Sequence, residues 1–142
     1  MWATLTPDAI ARLPERMVNG AMPSTPGAAA DARVVEAKGW KACIDALLDI
    51  RMLEDDWDGQ GTPAPPPEVV DSAIVLAVLL RQRHVLPPNV TVQGVTRSVL
   101  MEWQWPDKTS IEIEVIDPGV ADVYLMIPDQ KVQYWQVRGS GD

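Results

Sequence analysis

The second half of the chain alternates hydrophobic with polar residues, which is the pattern of β-strands that bury one face. Hydrophobic residues stand at every second position from Val99 to Trp105, and again from Ile111 to Val115. A turn at residues 106–108 would place Trp103 opposite Ile111, so that the two hydrophobic faces coincide. The pattern therefore predicts an antiparallel hairpin.

A second turn, at residues 117–119, extends the same register to a third strand. It would place Ile113 opposite Val123, again hydrophobic against hydrophobic. Weaker alternation predicts a fourth strand at residues 131–137, and a short segment at residues 90–93 completes the set. We expect a four- to five-stranded antiparallel meander.

The first half of the chain has helical spacing instead. Between residues 35 and 54, hydrophobic residues recur at steps of three and four, which is typical of an amphipathic helix. A second helix should begin near Pro67, because proline suits a first helical turn, and it contains an uninterrupted apolar run at residues 73–80. We predict an α+β fold with two main helices packed on one face of the meander.

The predicted domain organisation is simple. Residues 1–33 read as an N-terminal arm, with a capped helix start at Thr6 and Pro7, followed by a linker rich in proline, glycine and alanine. Residues 34–138 form a single α+β domain, and residues 139–142 form a tail. A chain of 142 residues suits one such domain.

The segment from Asp55 to Gly61 separates the two helices and should form a tight structural corner. Gly59 and Gly61 can adopt positive φ, and Asp58 can accept hydrogen bonds from backbone amides. Trp57 is expected to anchor the corner in an apolar slot between the helices and the sheet.

The run from Leu53 to Gly61, followed by a proline-rich step and an apolar helix, resembles small uncharacterised bacterial and phage-associated proteins. Those proteins carry a D-D-W-D-G-x-G corner between two helices. The resemblance covers residues 40–114 and implies a shared fold without an activity. Thr62 departs from it, since alanine is expected there.

Charge and cysteine content narrow the classes of function. The net charge of −8 argues against direct nucleic-acid binding, because such proteins concentrate Lys and Arg. The single cysteine, Cys43, permits no disulfide within the chain and fits a cytoplasmic location. No apolar run is long enough to span a bilayer, so we expect no membrane association. Self-association remains compatible with this composition.

Catalytic and metal-binding patterns are weak. His84 follows basic residues at a predicted helix end, which favours a helix terminator over a general base. Cys43 lies on the hydrophobic stripe of the first helix, which favours a buried side chain over a nucleophile. Asp56 and Asp58 have the spacing of the first two ligands of an EF-hand calcium loop. Counted from Asp56, however, the twelfth residue is Pro67 instead of the glutamate that completes such a loop. We predict no enzyme activity, no cofactor and no metal.

The polar face of the sheet carries the functional hypothesis. The predicted register puts Glu102 opposite Glu112 and Glu114 opposite Asp122, although facing like charges are unfavourable. The predicted partner-binding residues are Leu100, Glu102, Glu112, Glu114, Asp122, Tyr124 and Met126. We predict a non-catalytic acidic interaction module that binds a basic protein surface through this face and the N-terminal arm.

Such a module would serve as an accessory or antitoxin-like subunit of a bacterial defence or toxin-antitoxin assembly. The alternative is a small metal-dependent hydrolase or nuclease that uses the same four carboxylates.

Overall fold

A computed structural model describes residues 12–18 and 26–139 of the chain. Within that range the helices are α1 (Glu15–Val18), α2 (Pro26–Arg51) and α3 (Pro67–Gln82). The strands are β1 (Asn89–Gln93), β2 (Ser98–Gln104), β3 (Ser110–Asp117), β4 (Val120–Met126) and β5 (Gln133–Arg138). The α+β class is as predicted, whereas the helix start at Thr6 and the predicted tail, apart from Gly139, lie outside the described residues.

Helix α2 begins at Pro26, well before the predicted start at residue 35. Residues 26–32 were therefore wrongly assigned to a linker. Their run of alanines lacks the hydrophobic and polar periodicity that identifies a packed helix, but alanine has the highest helix propensity of all residues. Pro26 also suits the first turn, where its missing N–H is not needed.

Helix α3 spans the predicted position and ends in a Schellman motif. The His84 N–H donates to the carbonyl of Arg81 at 3.0 Å, and the Val85 N–H donates to that of Leu80 at 3.1 Å. His84 has a φ of 61°, the left-handed conformation that this motif requires after the last helical turn. Its geometry agrees with the predicted helix terminator.

The sheet is an antiparallel meander in the order β1-β2-β3-β4-β5. The predicted registers are confirmed, since Trp103 pairs with Ile111 and Ile113 pairs with Val123. Pairing of β3 with β4 is irregular between Val115 and Asp117, next to the turn.

One hydrophobic core joins the helices and the sheet. Helix α3 packs against α2 and against β2 and β3, and its Val70, Ala73 and Ala77 are fully buried. Ser72 is buried as well, and its hydroxyl accepts a hydrogen bond of 2.8 Å from the Gly119 N–H, which fixes the β3–β4 turn to the helix.

The described part of the N-terminal arm packs against this core. Leu13 and Met17 belong to the core cluster, and Met17 is completely buried. The Met17 carbonyl accepts a hydrogen bond of 3.0 Å from the Leu86 N–H. Core burial thus includes residues that precede the predicted domain start at residue 34.

Two arginines of the arm, Arg12 and Arg16, contact aromatic side chains of the domain. The guanidinium of Arg12 lies 4.4 Å from the centroid of the Trp135 ring, and that of Arg16 lies 5.1 Å from the Trp105 ring. Arg16 also donates two hydrogen bonds to Asp107, of 3.0 and 3.2 Å. Cation–π and charge-assisted contacts therefore supplement the burial of the arm.

Candidate functional site

The seven residues predicted to bind a partner lie at alternate positions of β2, β3 and β4, and we call this surface the acidic sheet face. Glu102 pairs with Glu112, and Glu114 pairs with Asp122, as the sequence predicted. Tyr124 stands opposite Glu112 on the neighbouring strand. The face therefore has the predicted combination of facing carboxylates and an aromatic side chain.

Glu114 has donors within the domain. Its Oε2 accepts a hydrogen bond of 2.6 Å from the Ser98 hydroxyl and another of 2.9 Å from the Thr96 hydroxyl. Ser98 lies in β2 and Thr96 in the turn before it. Their two hydrogen bonds offset the cost of holding the Glu114 carboxylate on the sheet face.

Asp122 is also hydrogen-bonded. Its Oδ1 accepts from the Tyr134 hydroxyl at 2.7 Å and from the Gln136 amide at 3.0 Å, both on β5. Donors within the domain therefore compensate Glu114 and Asp122, and Glu102 likewise accepts a hydrogen bond of 2.9 Å from the Gln104 amide. The alternation of polar residues along a strand predicts which face of the sheet a residue occupies. It does not predict which hydrogen-bond donors lie near the side chain.

Glu112 differs from these carboxylates. It is half-buried at the centre of the face, and within the described residues no donor or cation contacts its side chain. Burial, followed by the charges of Glu102 and Glu114, raises its pKa above the ordinary value of 4.5. Among the described residues, Glu112 is therefore a partly desolvated carboxylate that lacks compensation.

Two tyrosines border this carboxylate. The rings of Tyr124 and Tyr134 have centroids 5.2 Å apart with planes tilted by 39°, a favourable aromatic pair. Burial and the nearby charges of Asp122, Glu114 and Glu112 raise the pKa of Tyr124. Tyr134 is 52% exposed and was not among the predicted partner-binding residues. Its pairing with Tyr124 in the register of β4 and β5 places it on the same face, and extending the alternating pattern to β5 would have identified it.

Leu100 contributes less to the surface than predicted. It is only 8% exposed and is absent from the main core cluster. Its register position, opposite Glu114 and Thr91, places it on the acidic sheet face. Leu100 is therefore an apolar floor beneath the carboxylates and offers a partner little area, whereas Met126 remains half-exposed.

The carboxylates do not form a metal site. Among residues 12–18 and 26–139, no group of three or more His, Cys, Asp or Glu side chains is arranged to hold a metal ion. Cys43 is buried, and burial raises the pKa of its thiol to about 11, so the thiolate needed by a nucleophile is scarce near neutral pH.

The corner at residues 55–61 is pinned as predicted. Asp58 Oδ1 accepts from the N–H of Gln60 at 2.9 Å, and Asp56 Oδ1 accepts from that of Gly61 at 2.6 Å. Gly59 and Gly61 have φ values of 73° and 78°, which only glycine adopts at little cost.

The predicted role of Trp57 is wrong. Its side chain is 43% exposed and does not belong to the hydrophobic core. Hydrogen bonds donated by backbone amides to aspartate carboxylates already fix the corner, and Trp40 and Trp103 occupy the interior. Trp40 Nε1 donates to the Val85 carbonyl at 2.9 Å, which is the partner that a buried indole requires.

Comparisons with protein-family models, curated proteins and solved structures found no match. Across the described ranges, no helix combines the length and the apolar character needed to cross a membrane.

Proposed function

We propose that the protein is a non-catalytic interaction module whose acidic sheet face binds a basic surface of a partner protein. In this proposal both main helices pack on the opposite face of the sheet, which leaves the acidic sheet face open. The observation that carries the proposal is Glu112, a half-buried carboxylate that has no donor among the described residues and lies near the charges of Glu102 and Glu114.

The electrostatics of Glu112 favour a basic partner. Like charges directly opposite on neighbouring strands cost up to about 1 kcal/mol. Among the described residues, Glu102 accepts a hydrogen bond from the Gln104 amide, but neither Glu102 nor Glu112 pairs with a cation. A lysine or arginine from a partner would give both carboxylates a counter-charge. Because both carboxylates are partly desolvated, such a pair would be stronger than one in bulk water.

The aromatic pair supports the same surface. Tyr124 and Tyr134 combine apolar area with hydroxyl groups, as interface residues commonly do. Tyr134 is already oriented by Asp122, so little side-chain freedom would be lost on binding. Met126 adds an adaptable apolar side chain at the end of the row.

The proposal assigns the main contact to the sheet instead of the arm. Residues 12–18 pack on their own domain, and Arg12 and Arg16 are engaged with Trp135 and Asp107. Residues 1–11 lie outside the described residues. Such a module would serve as an accessory or antitoxin-like subunit of an assembly in the bacterial cytoplasm.

The test is affinity capture from cells of the native host with the full chain as bait. Glu112→Gln should lose most of a specifically captured basic protein, and the loss should shrink as salt is raised. Asp129→Asn is the matched control, because it removes the same charge from the exposed β4–β5 turn. Equal capture by both variants would contradict the proposal.

A further inference from the structure

Strand β1 is an edge of the sheet, and a groove lies beside its end. In the described chain β1 pairs with β2 alone. The other edge of such a strand presents backbone N–H and C=O groups that another chain can pair with. Asn89, Thr91 and Gln93 of this strand are exposed on the sheet face that they share with Glu102 and Leu100, and none of them carries a charge that would block an added strand.

The groove has a volume of about 360 Å³ and joins β1 to the corner. Two of its hydrophobic side chains are open to solvent, since Val95 is 98% exposed and Trp57 is 43% exposed. The lining of the groove includes Trp57, Thr62, Pro63, Val92, Gly94 and Val95. An apolar side chain inserted beside Trp57 and Val95 would remove both from water.

The walls of the groove are fixed before anything binds. The carboxylates of Asp55, Asp56 and Asp58 accept hydrogen bonds from backbone amides, and these bonds hold the corner. The corner also meets the β1–β2 turn closely, because a Cβ on Gly94 would lie 2.6 Å from the Thr62 methyl group. A preformed groove loses little freedom on binding.

The charge of the corner selects the occupant. Residues 54–58 carry four carboxylates, on Glu54, Asp55, Asp56 and Asp58, and among the described residues an ion pair is formed by Asp55, with Arg97 at 3.7 Å. A second copy of this chain would bring the same carboxylates and a net charge of −8 to the contact. A segment rich in lysine and arginine is complementary instead.

We propose that β1 and the groove bind an extended, positively charged segment of a partner protein, which adds a strand to the sheet. Every second side chain of the segment points to the groove side, and one of them is apolar and packs between Trp57 and Val95. Lysine or arginine side chains near it pair with the corner carboxylates. The proposal does not require the acidic sheet face to bind anything.

The probe is a phage-displayed library of random dodecapeptides, panned against the full chain. Enriched peptides should alternate apolar residues with others and be rich in lysine and arginine. Added to ¹⁵N-labelled protein, they should shift the amides of residues 89–95 and the indole N–H of Trp57. N-methylation of alternate backbone amides should abolish binding in one of the two possible phases, because only one set of amides pairs with β1.

Matched variants locate the contact. Trp57→Ala should weaken a selected peptide by about tenfold, the loss typical of an aromatic anchor. Val95→Ser should weaken it by several fold, whereas Val132→Ser, at a valine 54% exposed in the turn before β5, should leave its affinity unchanged.

Three of the four results that would overturn the proposal are no enrichment of peptides, equal binding by Trp57→Ala and wild type, and shifts confined to the acidic sheet face. The last of these would leave the proposed function standing. Shifts of residues 89–95 that depend on protein concentration alone would identify a second copy as the occupant and would also overturn it.

Discussion

Glu102 and Glu112 are direct cross-strand neighbours on β2 and β3, and the second of them has no compensating donor in the described part of the chain. Removing one charge of this pair should therefore raise the stability of the fold and weaken the binding of a basic partner. Such opposition is expected where a fold gives up local stability for function.

Glu112→Gln should leave the free energy of unfolding equal or raise it by up to about 1 kcal/mol, because it removes like-charge repulsion. Since the folded protein raises the pKa of Glu112, its carboxylate costs stability as the pH rises above 4.5 and costs none well below it. The advantage of the variant should therefore appear at pH 7 and vanish at pH 3.5, as measured by urea unfolding. Destabilisation at pH 7 would mean that Glu112 has an internal partner.

Arg16→Gln should loosen the arm and change the titration of Asp107. Hydrogen bonds from Arg16, followed by the Thr109 amide, lower the pKa of Asp107 to about 2. The folded state gains stability from this carboxylate above pH 3.8 and loses it as the pH falls towards 2. In the variant, NMR titration should give a higher pKa for Asp107.

The Leu86 amide reports the same loosening, because it donates to Met17 in the arm. Its hydrogen exchange should be faster in Arg16→Gln than in Lys41→Gln, a control that removes a charge paired with Asp45 on α2. Unchanged exchange in both variants would show that core burial of Met17 alone holds the arm.

The two tryptophans Trp40 and Trp57 should differ sharply on truncation. Trp40 is 1% exposed, so Trp40→Ala should cost about 3 to 5 kcal/mol in urea unfolding. Trp57 is 43% exposed, so Trp57→Ala should cost less than about 1.5 kcal/mol. Equal losses would restore the prediction that Trp57 is an internal anchor.

The register of three strands could be predicted from the sequence because two constraints agreed. Period-two alternation fixed the faces, and the turn lengths fixed the offset between Trp103 and Ile111 and between Ile113 and Val123. The start of α3 was also predictable, since Pro67 suits a first helical turn and precedes the apolar run at residues 73–80. These features depend on local patterns alone.

The exposure of Trp57 and the packing of the arm could not be predicted in the same way. Hydrophobicity favours burial of Trp57, but it does not show that Trp40 and Trp103 already fill the interior. Likewise, nothing near Ser98 indicates that its hydroxyl binds Glu114 on another strand. Contacts between distant segments decide both.

Photocrosslinking in the native host, with a benzophenone amino acid placed at Tyr124, tests most directly whether the acidic sheet face binds a partner. We expect a discrete crosslink to one protein with a basic surface, lost when Glu112→Gln is added. Leu48, 49% exposed on α2, is the matched position and should give no such product. A specific crosslink from Leu48 with none from Tyr124 would contradict the proposed function, because the partner would then bind at α2 instead of the acidic sheet face.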